Sequence, residues 1–347
     1  IEVGARESVV WREAFGRLRF ASDAAATTSD TIFDLASLTK VIATTSLVMR
    51  ASDDGRLALD DRVADRLPEW RGPDRARVTV ADLLEHASGL TAYRPFFRDQ
   101  RGRAEFERAI CALPLEYEPR TRSIYSDLGF ILLAFMLEDL HRTPFAAMFD
   151  ACWAGLKPRA AGSQRPREVG AAGIEALRGD DLLLFNPPRE LHEPCAPTEL
   201  DVWRGRLLQG EVHDENAWAL AGAAGHAGLF GTAAAVGRFA RSMLQGLSGL
   251  ETIARSDTIE RFVRKSDVPG SSRALGWDTM LQSSSCGTRL SARAIGHTGF
   301  TGTSLWLDPA RDLYVVLLTN RVHPTRENDQ IQDVRRRVHD AVVTALE

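Results

Sequence analysis

Three short segments of the chain carry residue types that can perform acyl transfer. Ser37-Leu38-Thr39-Lys40 places a hydroxyl and an amine three residues apart, so the two groups share one face of a helix. A serine hydroxyl becomes nucleophilic when a base takes its proton, and a lysine acts as that base when it is neutral. The segment therefore predicts a nucleophile beside its base, although the same spacing also fits a helix cap followed by a surface lysine.

The scarcity of lysine makes Lys40 conspicuous. Only three of the 43 basic residues are lysines, namely Lys40, Lys157 and Lys265, and the others are arginines. Arginine cannot lose its proton in a protein, whereas lysine can. Because its neighbours are apolar, Lys40 is the candidate for proton transfer, and the other two lysines fit ordinary surface positions.

The second and third segments are each ambiguous alone. Tyr125-Ser126-Asp127 precedes an apolar stretch and offers a phenol as a proton shuttle, with Asp127 to hold Lys40 or orient a substrate amide. A plain helix start capped by Ser126 or Asp127 is the alternative. His297-Thr298-Gly299-Phe300-Thr301-Gly302-Thr303 lies between two predicted strands, where glycines let a ligand approach backbone N–H groups. The alternative for this segment is a simple glycine-rich turn.

The elements that would position these segments follow from the hydrophobic pattern. We predict a hairpin at the start of the chain, three helices, a group of late strands and a C-terminal helix. Their ranges are 1–3 with 9–11; 37–50, 78–85 (with Thr79 as N-cap) and 126–140; and strands 273–280, 293–299, 303–307 and 313–319. The C-terminal helix is predicted to bury one face formed by Ile331, Val334, Val338, Val342 and Leu346.

Strands and helices thus occur at both ends of the chain, with a helical block between them. We predict an α+β fold in which residues 1–50 and 220–347 form a mixed domain and residues 51–219 form a mainly helical domain. The segment 157–180 is rich in Gly, Ala and Arg and has no amphipathic period. It is therefore predicted to be a mobile surface insertion.

Composition excludes several classes of protein. The 347 residues are 44% hydrophobic and 26% charged, which is typical of a soluble globular protein and not of collagen, a coiled coil or a disordered chain. The net charge of −4 and the pI near 6.1 give no bias toward nucleic acid. No apolar run reaches the roughly 20 residues that span a bilayer. The sequence begins at Ile1 without an initiator Met or a visible signal peptide. A natural N-terminus further upstream is therefore compatible with the sequence, and this end does not indicate a location in the cell.

Cysteine and histidine spacing does not predict a metal site. The four cysteines, Cys111, Cys152, Cys195 and Cys286, form no C-x-x-C pair, so we predict free buried thiols. His86 and His213 are predicted to be structural, because His213 with Asp214 is too isolated for a metal ligand set.

Taken in order, the three segments resemble the serine β-lactamase and penicillin-binding-protein superfamily, with its Ser-x-x-Lys, its middle Ser- or Tyr-centred motif and its Lys-Thr-Gly-like strand. Tyr125 in the middle segment resembles the class C branch, which includes D,D-peptidases and family VIII carboxylesterases. Three more segments support the resemblance, namely Phe33-Asp34-Leu35-Ala36, LLEHASGL at 83–90 and GHAGLFGTA at 225–233. It covers nearly the whole chain except 157–180 and an N-terminal helix that we do not find.

The resemblance implies a β-lactamase/transpeptidase-like fold, an antiparallel sheet flanked by helices plus an inserted helical domain. It also implies roles for single residues. Ser37 would form an acyl-enzyme, Lys40 would help deprotonate it, and Tyr125 would pass the proton to the leaving group and later activate water. The backbone N–H groups of Ser37 and Phe300 would form the oxyanion hole. The family requires no metal or organic cofactor.

The resemblance also implies substrate contacts, with two departures from the class C pattern. Asp127 stands where these enzymes have Asn, and a carboxylate cannot donate to a substrate amide and favours a charged Lys40. His297 stands in place of Lys and is mostly neutral near pH 7, so the cation that binds a β-lactam carboxylate is weakened. Thr298 and Gly299 would contact substrate, and His226 either lines the acyl pocket or is structural.

We therefore expect a serine hydrolase that acts on a small ester or a peptidoglycan-type amide rather than on β-lactam antibiotics. A β-lactamase is the alternative, and a catalytically silent protein that binds a cell-wall peptide is the alternative from another class. The expected partner is a small-molecule ester, amide or β-lactam. Nucleic acid and a transmembrane segment are not expected, and the oligomeric state is left open.

Overall fold

The computed structural model describes residues 1–156 and 179–347. Most of the segment predicted to be a mobile insertion, 157–180, lies outside the described residues, and so does Lys157.

The described chain combines short strands with longer helices. The strands are β1 (Glu2–Gly4), β2 (Val9–Arg12), β3 (Phe33–Asp34), β4 (Leu183–Phe185), β5 (Leu200–Asp201), β6 (Arg206–Leu207), β7 (Leu229–Gly231), β8 (Asp278–Thr279), β9 (Ile295–Thr298), β10 (Ser304–Asp308) and β11 (Leu313–Leu317). The helices are α1 (Ser46–Asp53), α2 (Val63–Arg66), α3 (Val80–Leu84), α4 (Gly102–Cys111), α5 (Asp127–His141), α6 (Phe145–Gly155), α7 (Glu215–Ala219), α8 (Ala233–Leu247), α9 (Ser256–Phe262) and α10 (Ile331–Leu346).

The main sheet has six strands in the order β2-β1-β11-β10-β9-β8, and its pairs are antiparallel. β1 pairs with β11, so the first and last strands of the chain are neighbours. A second, three-stranded sheet has the order β3-β7-β4. The predicted α+β class with an antiparallel sheet is confirmed. The division into a mixed domain and a helical domain stays a prediction.

Helices cover both faces of the main sheet because its side chains alternate between two hydrophobic clusters. Leu305 belongs to the large cluster that contains Phe239 of α8. The next residue, Trp306, belongs to a smaller cluster that contains Val343 of α10. The central strands β10 and β11 are therefore buried on both sides, and the loop between β9 and β10 reaches the candidate site.

Helix α5 is the centre of the helical part. Residues 128–137 are all buried, so this helix is apolar on every side and packs within the core. This confirms the predicted buried helix over 126–140. The predicted cap of α3 is also confirmed, because Thr79 Oγ1 accepts from Asp82 N (3.3 Å) and Asp82 Oδ2 accepts from Thr79 N (2.9 Å).

The helix predicted over 37–50 is present in a different form. Ser37 lies in the turn before it, residues Lys40–Thr45 form a π-helical segment, and α1 follows. A π-helical segment is wider than an α-helix and is frequent at functional sites. Hydrophobic periodicity does not distinguish the two forms over so short a stretch.

The strand predicted over 273–280 is mostly wrong. Only Asp278–Thr279 is extended, because the preceding residues form a turn in which Ala274 N donates to Trp277 O (2.8 Å). Gly276 has φ +87° in this turn, and a Cβ there would clash with Thr45 Oγ1. Arg273 lies opposite Asp278 in a single β-bridge across this turn.

The predicted buried face of α10 is partly wrong. Ile331 is buried and Val342 packs against the smaller cluster, as predicted, but two of the five residues are exposed. Val334 and Leu346 are 38% and 52% exposed. The buried row recurs every four residues and consists of Ile331, Arg335, His339 and Val343. Two polar side chains are buried there because their nitrogens find backbone carbonyl acceptors.

The four cysteines are free and buried, as predicted. In the described part of the chain, we find no helix with the length and hydropathy needed to cross a membrane.

Substitution of the α3 cap tests the local origin of this helix. Thr79→Ala removes the side-chain acceptor for Asp82 N, and we expect it to lower the free energy of unfolding by about 1 kcal/mol. Urea denaturation followed by circular dichroism measures the change. Thr344→Ala, at an exposed position of α10, is the control and should change stability by less than about 0.5 kcal/mol. Equal effects of both substitutions would contradict the capping role.

Candidate active site

Ser37 lies in a tight turn just after β3. Ala36, which precedes it, has φ +47°, and its N–H donates to Asp34 Oδ1 (2.8 Å). Asp34 is buried, and its Oδ2 accepts from His213 N (2.7 Å). One carboxylate thus ties the serine turn to the chain before α7. Burial raises the pKa of Asp34, although the two N–H donors oppose this effect.

Lys40 is fully buried, and its amine contacts three acceptors. Lys40 Nζ lies 3.0 Å from Ser37 Oγ, 3.0 Å from His226 O and 2.7 Å from Asp127 Oδ1. Burial lowers the pKa of this ammonium group, but the Asp127 carboxylate and the Tyr125 hydroxyl outweigh burial, and the net pKa is raised. Because the pKa is raised, Lys40 remains charged through neutral pH and loses its proton when the pH rises through that value.

Tyr125 reaches the same oxygen from the other side. Its hydroxyl donates to Ser37 Oγ (2.9 Å), so Ser37 Oγ lies between a cation and a phenol. Burial raises the pKa of Tyr125, Lys40 lowers it, and the net direction is upward. The phenol is therefore protonated near neutral pH.

His86 fixes the position of Tyr125. The two rings lie 4.7 Å apart between centroids, and His86 Nδ1 accepts from Ser126 N (3.0 Å). Burial lowers the pKa of His86 well below its usual value, so the ring is neutral. This arrangement fits the predicted structural role. The Ser126 hydroxyl donates to Thr91 O (2.7 Å) and does not cap α5.

His297 is the penultimate residue of β9, beside these groups, and is neutral. It is buried, and its Nδ1 donates to Thr298 O (2.8 Å). Burial, followed by the charges of Lys40 and Arg273, lowers its pKa well below the usual value for histidine. A cation is therefore absent from this position at neutral pH.

The loop between β9 and β10 is bound to the serine turn. Thr301 Oγ1 donates to Asp34 O (2.7 Å), and Thr303 Oγ1 donates to Leu35 O (3.0 Å). Among the described residues, the N–H groups of Ser37 and Phe300 have no hydrogen-bond acceptor. Both are therefore available to a substrate oxygen.

The side chain of His226 is buried, and Asp214 lies between it and the cavity. His226 Nε2 contacts Asp214 Oδ1 (2.9 Å), which also accepts from Ala217 N (2.7 Å). Burial raises the pKa of Asp214, but His226 outweighs this effect and the net pKa lies below the usual range. The predicted contact of His226 with substrate stays a prediction, whereas its backbone oxygen contacts Lys40.

These groups open into a cavity of about 590 Å³. Seven of the predicted site residues line it, and they come from three separate stretches of sequence. They are Ser37, Tyr125, Asp127, His297, Thr298, Gly299 and Phe300, whereas Lys40 lies beneath the surface. His213, which we predicted to be structural, also lines the cavity, and its ring contacts Glu199 (2.9 Å).

Several cavity residues are ones that the sequence did not single out, and Arg273 is the most informative. Its side chain is 20% exposed, and its guanidinium carbon lies 5.3 Å from the centroid of the Tyr125 ring. Within the described residues, the guanidinium donates no hydrogen bond, and its nearest carboxylate oxygen is Asp278 Oδ1 at 3.9 Å. A half-buried guanidinium with unused donors at a cavity wall is suited to an anionic ligand. In so arginine-rich a chain, no sequence signal marks this position.

No group of three or more His, Cys, Asp or Glu side chains is arranged to hold a metal ion within residues 1–156 and 179–347.

Comparison with known proteins identifies the family. A family model described as Beta-lactamase matches residues 3–339, and the chain belongs to this family. The resemblance that the three segments indicated is confirmed.

Individual relatives are more distant. A protein of Salmonella gallinarum named "Putative D-alanyl-D-alanine carboxypeptidase" is 29% identical over 332 residues, which cover 88% of this chain and 72% of the relative. A class C beta lactamase structure has a TM-score of 0.69 at 17% identity and covers 98% of this chain and 91% of its own. EstCE1, described as a hydrolase with promiscuous acyltransferase activity, has a TM-score of 0.67 at 20% identity, with 96% and 92% covered. At these identities the two structures establish the fold.

The family and these relatives define the class of enzyme. The protein is a serine hydrolase that acts on an ester or amide bond.

The charge state of Lys40 can be measured directly because the chain has only three lysines. In ¹⁵N-lysine-labelled protein, we expect the Lys40 amine to titrate above the ordinary lysine value, and Asp127→Asn to lower its pKa because only Tyr125 then opposes the effect of burial. Lys157→Arg and Lys265→Arg assign the two other signals. A Lys40 signal that titrates at the same pH in both proteins would contradict the control by Asp127.

Proposed function

We propose that the protein cleaves an ester or amide through an acyl-enzyme on Ser37. The observation that carries this proposal is the position of Ser37 Oγ, within 3.0 Å of Lys40 Nζ and 2.9 Å of Tyr125 OH at the wall of the cavity. A cation and a phenol at these distances stabilise negative charge that develops on the serine oxygen.

The base in this proposal is the Lys40–Asp127 pair rather than Lys40 alone. Lys40 is charged at rest, so it accepts the Ser37 proton only as its own proton passes to Asp127 Oδ1, 2.7 Å away. Lys40 is then again an ammonium ion beside the serine oxygen, and Asp127 is neutral. The departure from the Asn of class C enzymes thus supplies the proton acceptor that the charged lysine lacks.

Acylation then joins Ser37 Oγ to the substrate carbonyl carbon. The carbonyl oxygen becomes an oxyanion held by the N–H groups of Ser37 and Phe300. As the tetrahedral adduct collapses, the C–N or C–O bond breaks, and the leaving group takes a proton from the Tyr125 hydroxyl. Lys40 then passes a proton to Tyr125 and regains one from Asp127, which returns all three groups to their starting protonation states.

Deacylation repeats the steps with water. Tyr125 and the Lys40–Asp127 pair take a proton from a water molecule that attacks the acyl carbon, and the ester bond to Ser37 Oγ breaks. Ser37 regains its proton, and the product is the free acid.

For the substrate, we propose an acyl peptide with a free carboxylate next to the scissile bond. Arg273 carries this choice, because its guanidinium lines the cavity beside Tyr125, the residue that would protonate the leaving group. It supplies the cation that neutral His297 does not. The relative named as a putative D-alanyl-D-alanine carboxypeptidase supports the same substrate class, since a peptide that ends in D-alanyl-D-alanine carries a free carboxylate.

A carboxylic ester without an anionic group is the second candidate substrate. The neutral state of His297 favours it, because an ester has a good leaving group and needs no cation at this position. The hydrolase EstCE1 has the same fold.

Loss of the Ser37 hydroxyl tests the acyl-enzyme. We expect Ser37→Ala to lower kcat for a nitrophenyl ester by about 10⁴-fold. A fluorophosphonate should add one covalent adduct to the wild type and none to Ser37→Ala, as read by mass spectrometry. Ser248→Ala, at an exposed position, is the control and should retain both properties. A wild-type protein that forms no adduct and hydrolyses neither ester nor peptide would be the silent binder.

Removal of the Arg273 charge tests the substrate class. We expect Arg273→Gln to lower kcat/KM by about 10- to 100-fold for a peptide ending in D-alanyl-D-alanine, because a charge-assisted hydrogen bond is lost. The C-terminal amide of the same peptide, already a poorer substrate, should be unaffected by the substitution. Arg261→Gln, at an exposed position of α9, is the control for a general change of charge.

The same assays rank the rival substrates. If Arg273→Gln lowered kcat/KM equally for the peptide with a free carboxylate and for its C-terminal amide, recognition of the carboxylate by Arg273 would be contradicted. A chromogenic cephalosporin hydrolysed by the wild type with a kcat/KM orders of magnitude above that for the ester and the peptide would make the protein a β-lactamase.

A further inference from the structure

The guanidinium of Arg335 is buried against the loop that carries the Phe300 N–H. Its side chain comes from α10, and the residue is 8% exposed. Arg335 Nη2 donates to Gly299 O (2.6 Å) and to Thr303 O (2.8 Å). No carboxylate lies within ion-pair distance of Arg335 among the described residues, so its charge is directed at these carbonyls.

The Gly299 carbonyl belongs to the same peptide unit as the Phe300 N–H. In a trans peptide the C=O and N–H groups point in opposite directions, so holding the oxygen toward Arg335 aims the Phe300 N–H away from it. Gly299 packs against Ala36, the neighbour of Ser37, and Phe300 lines the cavity. The two contacts of Arg335 thus fix the orientation of this peptide plane.

A cation on the carbonyl oxygen also changes the strength of the donor. It draws electron density from the amide nitrogen toward the oxygen, so the N–H becomes a stronger hydrogen-bond donor. Burial strengthens the interaction between the Arg335 guanidinium and the Gly299 carbonyl, because little water is present to screen it. Burial, followed by the charge of Arg321, lowers the pKa of Arg335 to about 10, so the group remains charged at neutral pH.

We propose that Arg335 is a positioning residue that orients and polarises the Gly299–Phe300 peptide, and so strengthens the Phe300 N–H as an oxyanion donor. This rests on the proposed function, since it requires acylation of Ser37. Arg335 acts through the peptide and does not itself touch the reacting atoms.

Arg321, which follows β11 and contacts the same loop, provides a matched control. Its Nε donates to Phe300 O (2.8 Å), which belongs to the next peptide unit along the chain. The N–H of that unit is on Thr301 and is not an oxyanion donor in the proposed mechanism. Loss of Arg321 therefore removes a guanidinium from the loop without removing the cation from the Gly299–Phe300 peptide.

The experiment is an infrared measurement of the acyl-enzyme. Each protein is acylated with a nitrophenyl ester that carries ¹³C at the carbonyl, and the isotope difference isolates the stretch of the acyl C=O. A stronger oxyanion hole lowers this frequency. We expect Arg335→Met to raise it and to slow deacylation by about tenfold with little change in KM, because weakening one donor costs less than removing it. Arg321→Met should shift the band much less.

Two further variants separate orientation from charge. Arg335→Lys keeps the cation and should restore part of the frequency shift, whereas Arg335→Gln keeps a hydrogen-bond donor without the charge and should restore less. Unfolded molecules do not acylate, so the band reports only folded protein even if a variant is less stable.

The outcomes distinguish this inference from the proposed function. A wild-type protein that never shows an acyl band would overturn the acyl-enzyme. An acyl band that forms normally and shifts equally in the Arg335 and Arg321 variants, or in neither, would overturn the role of Arg335 alone. If Arg335→Lys and Arg335→Gln restored the acyl C=O frequency equally, polarisation by the charge would be contradicted, and Arg335 would act by orienting the peptide alone.

Discussion

A buried ion pair sets the conditions for everything around Ser37. Lys40 has no exposed surface, and a lone cation in such a place would cost several kcal/mol or lose its proton. Asp127, 2.7 Å away, keeps it charged. The charged amine stabilises negative charge on the serine oxygen but cannot itself accept a proton. In the proposed mechanism, the carboxylate that holds the cation is therefore also part of the base.

The sequence alone predicted those parts of the site whose functional residues lie within a few positions of one another in the chain. Ser37 and Lys40 are three residues apart, so one helical turn brings them together whatever the rest of the chain does. Tyr125 and the loop after His297 were found through motifs whose residues are consecutive. The same holds for the Thr79 cap and for α5, in which unbroken apolar sequence allows only a buried helix.

What escaped prediction depends on contacts between distant parts of the chain. Arg273 and Arg335 look like any other arginine in this sequence, and only the tertiary structure shows one beside Tyr125 and the other on the Gly299 carbonyl. The buried face of α10 was misjudged for the same reason. The spacing of apolar residues favoured burial of Val334. The helix instead buries Arg335, because backbone carbonyl oxygens accept hydrogen bonds from its guanidinium. Polar burial of this kind leaves no hydrophobic period in a sequence.

The loop beside Ser37 joins the two extremes of the chain. Thr301 and Thr303 bind carbonyls that precede the serine, and Arg335 approaches from the final helix. A ribosome producing this polypeptide therefore releases Ser37 and Lys40 long before α10 leaves the exit tunnel. In the proposed mechanism, the nascent chain then carries Ser37 without the arginine that orients the Phe300 N–H, so hydrolytic competence arises only once α10 has been synthesised and packed against this loop.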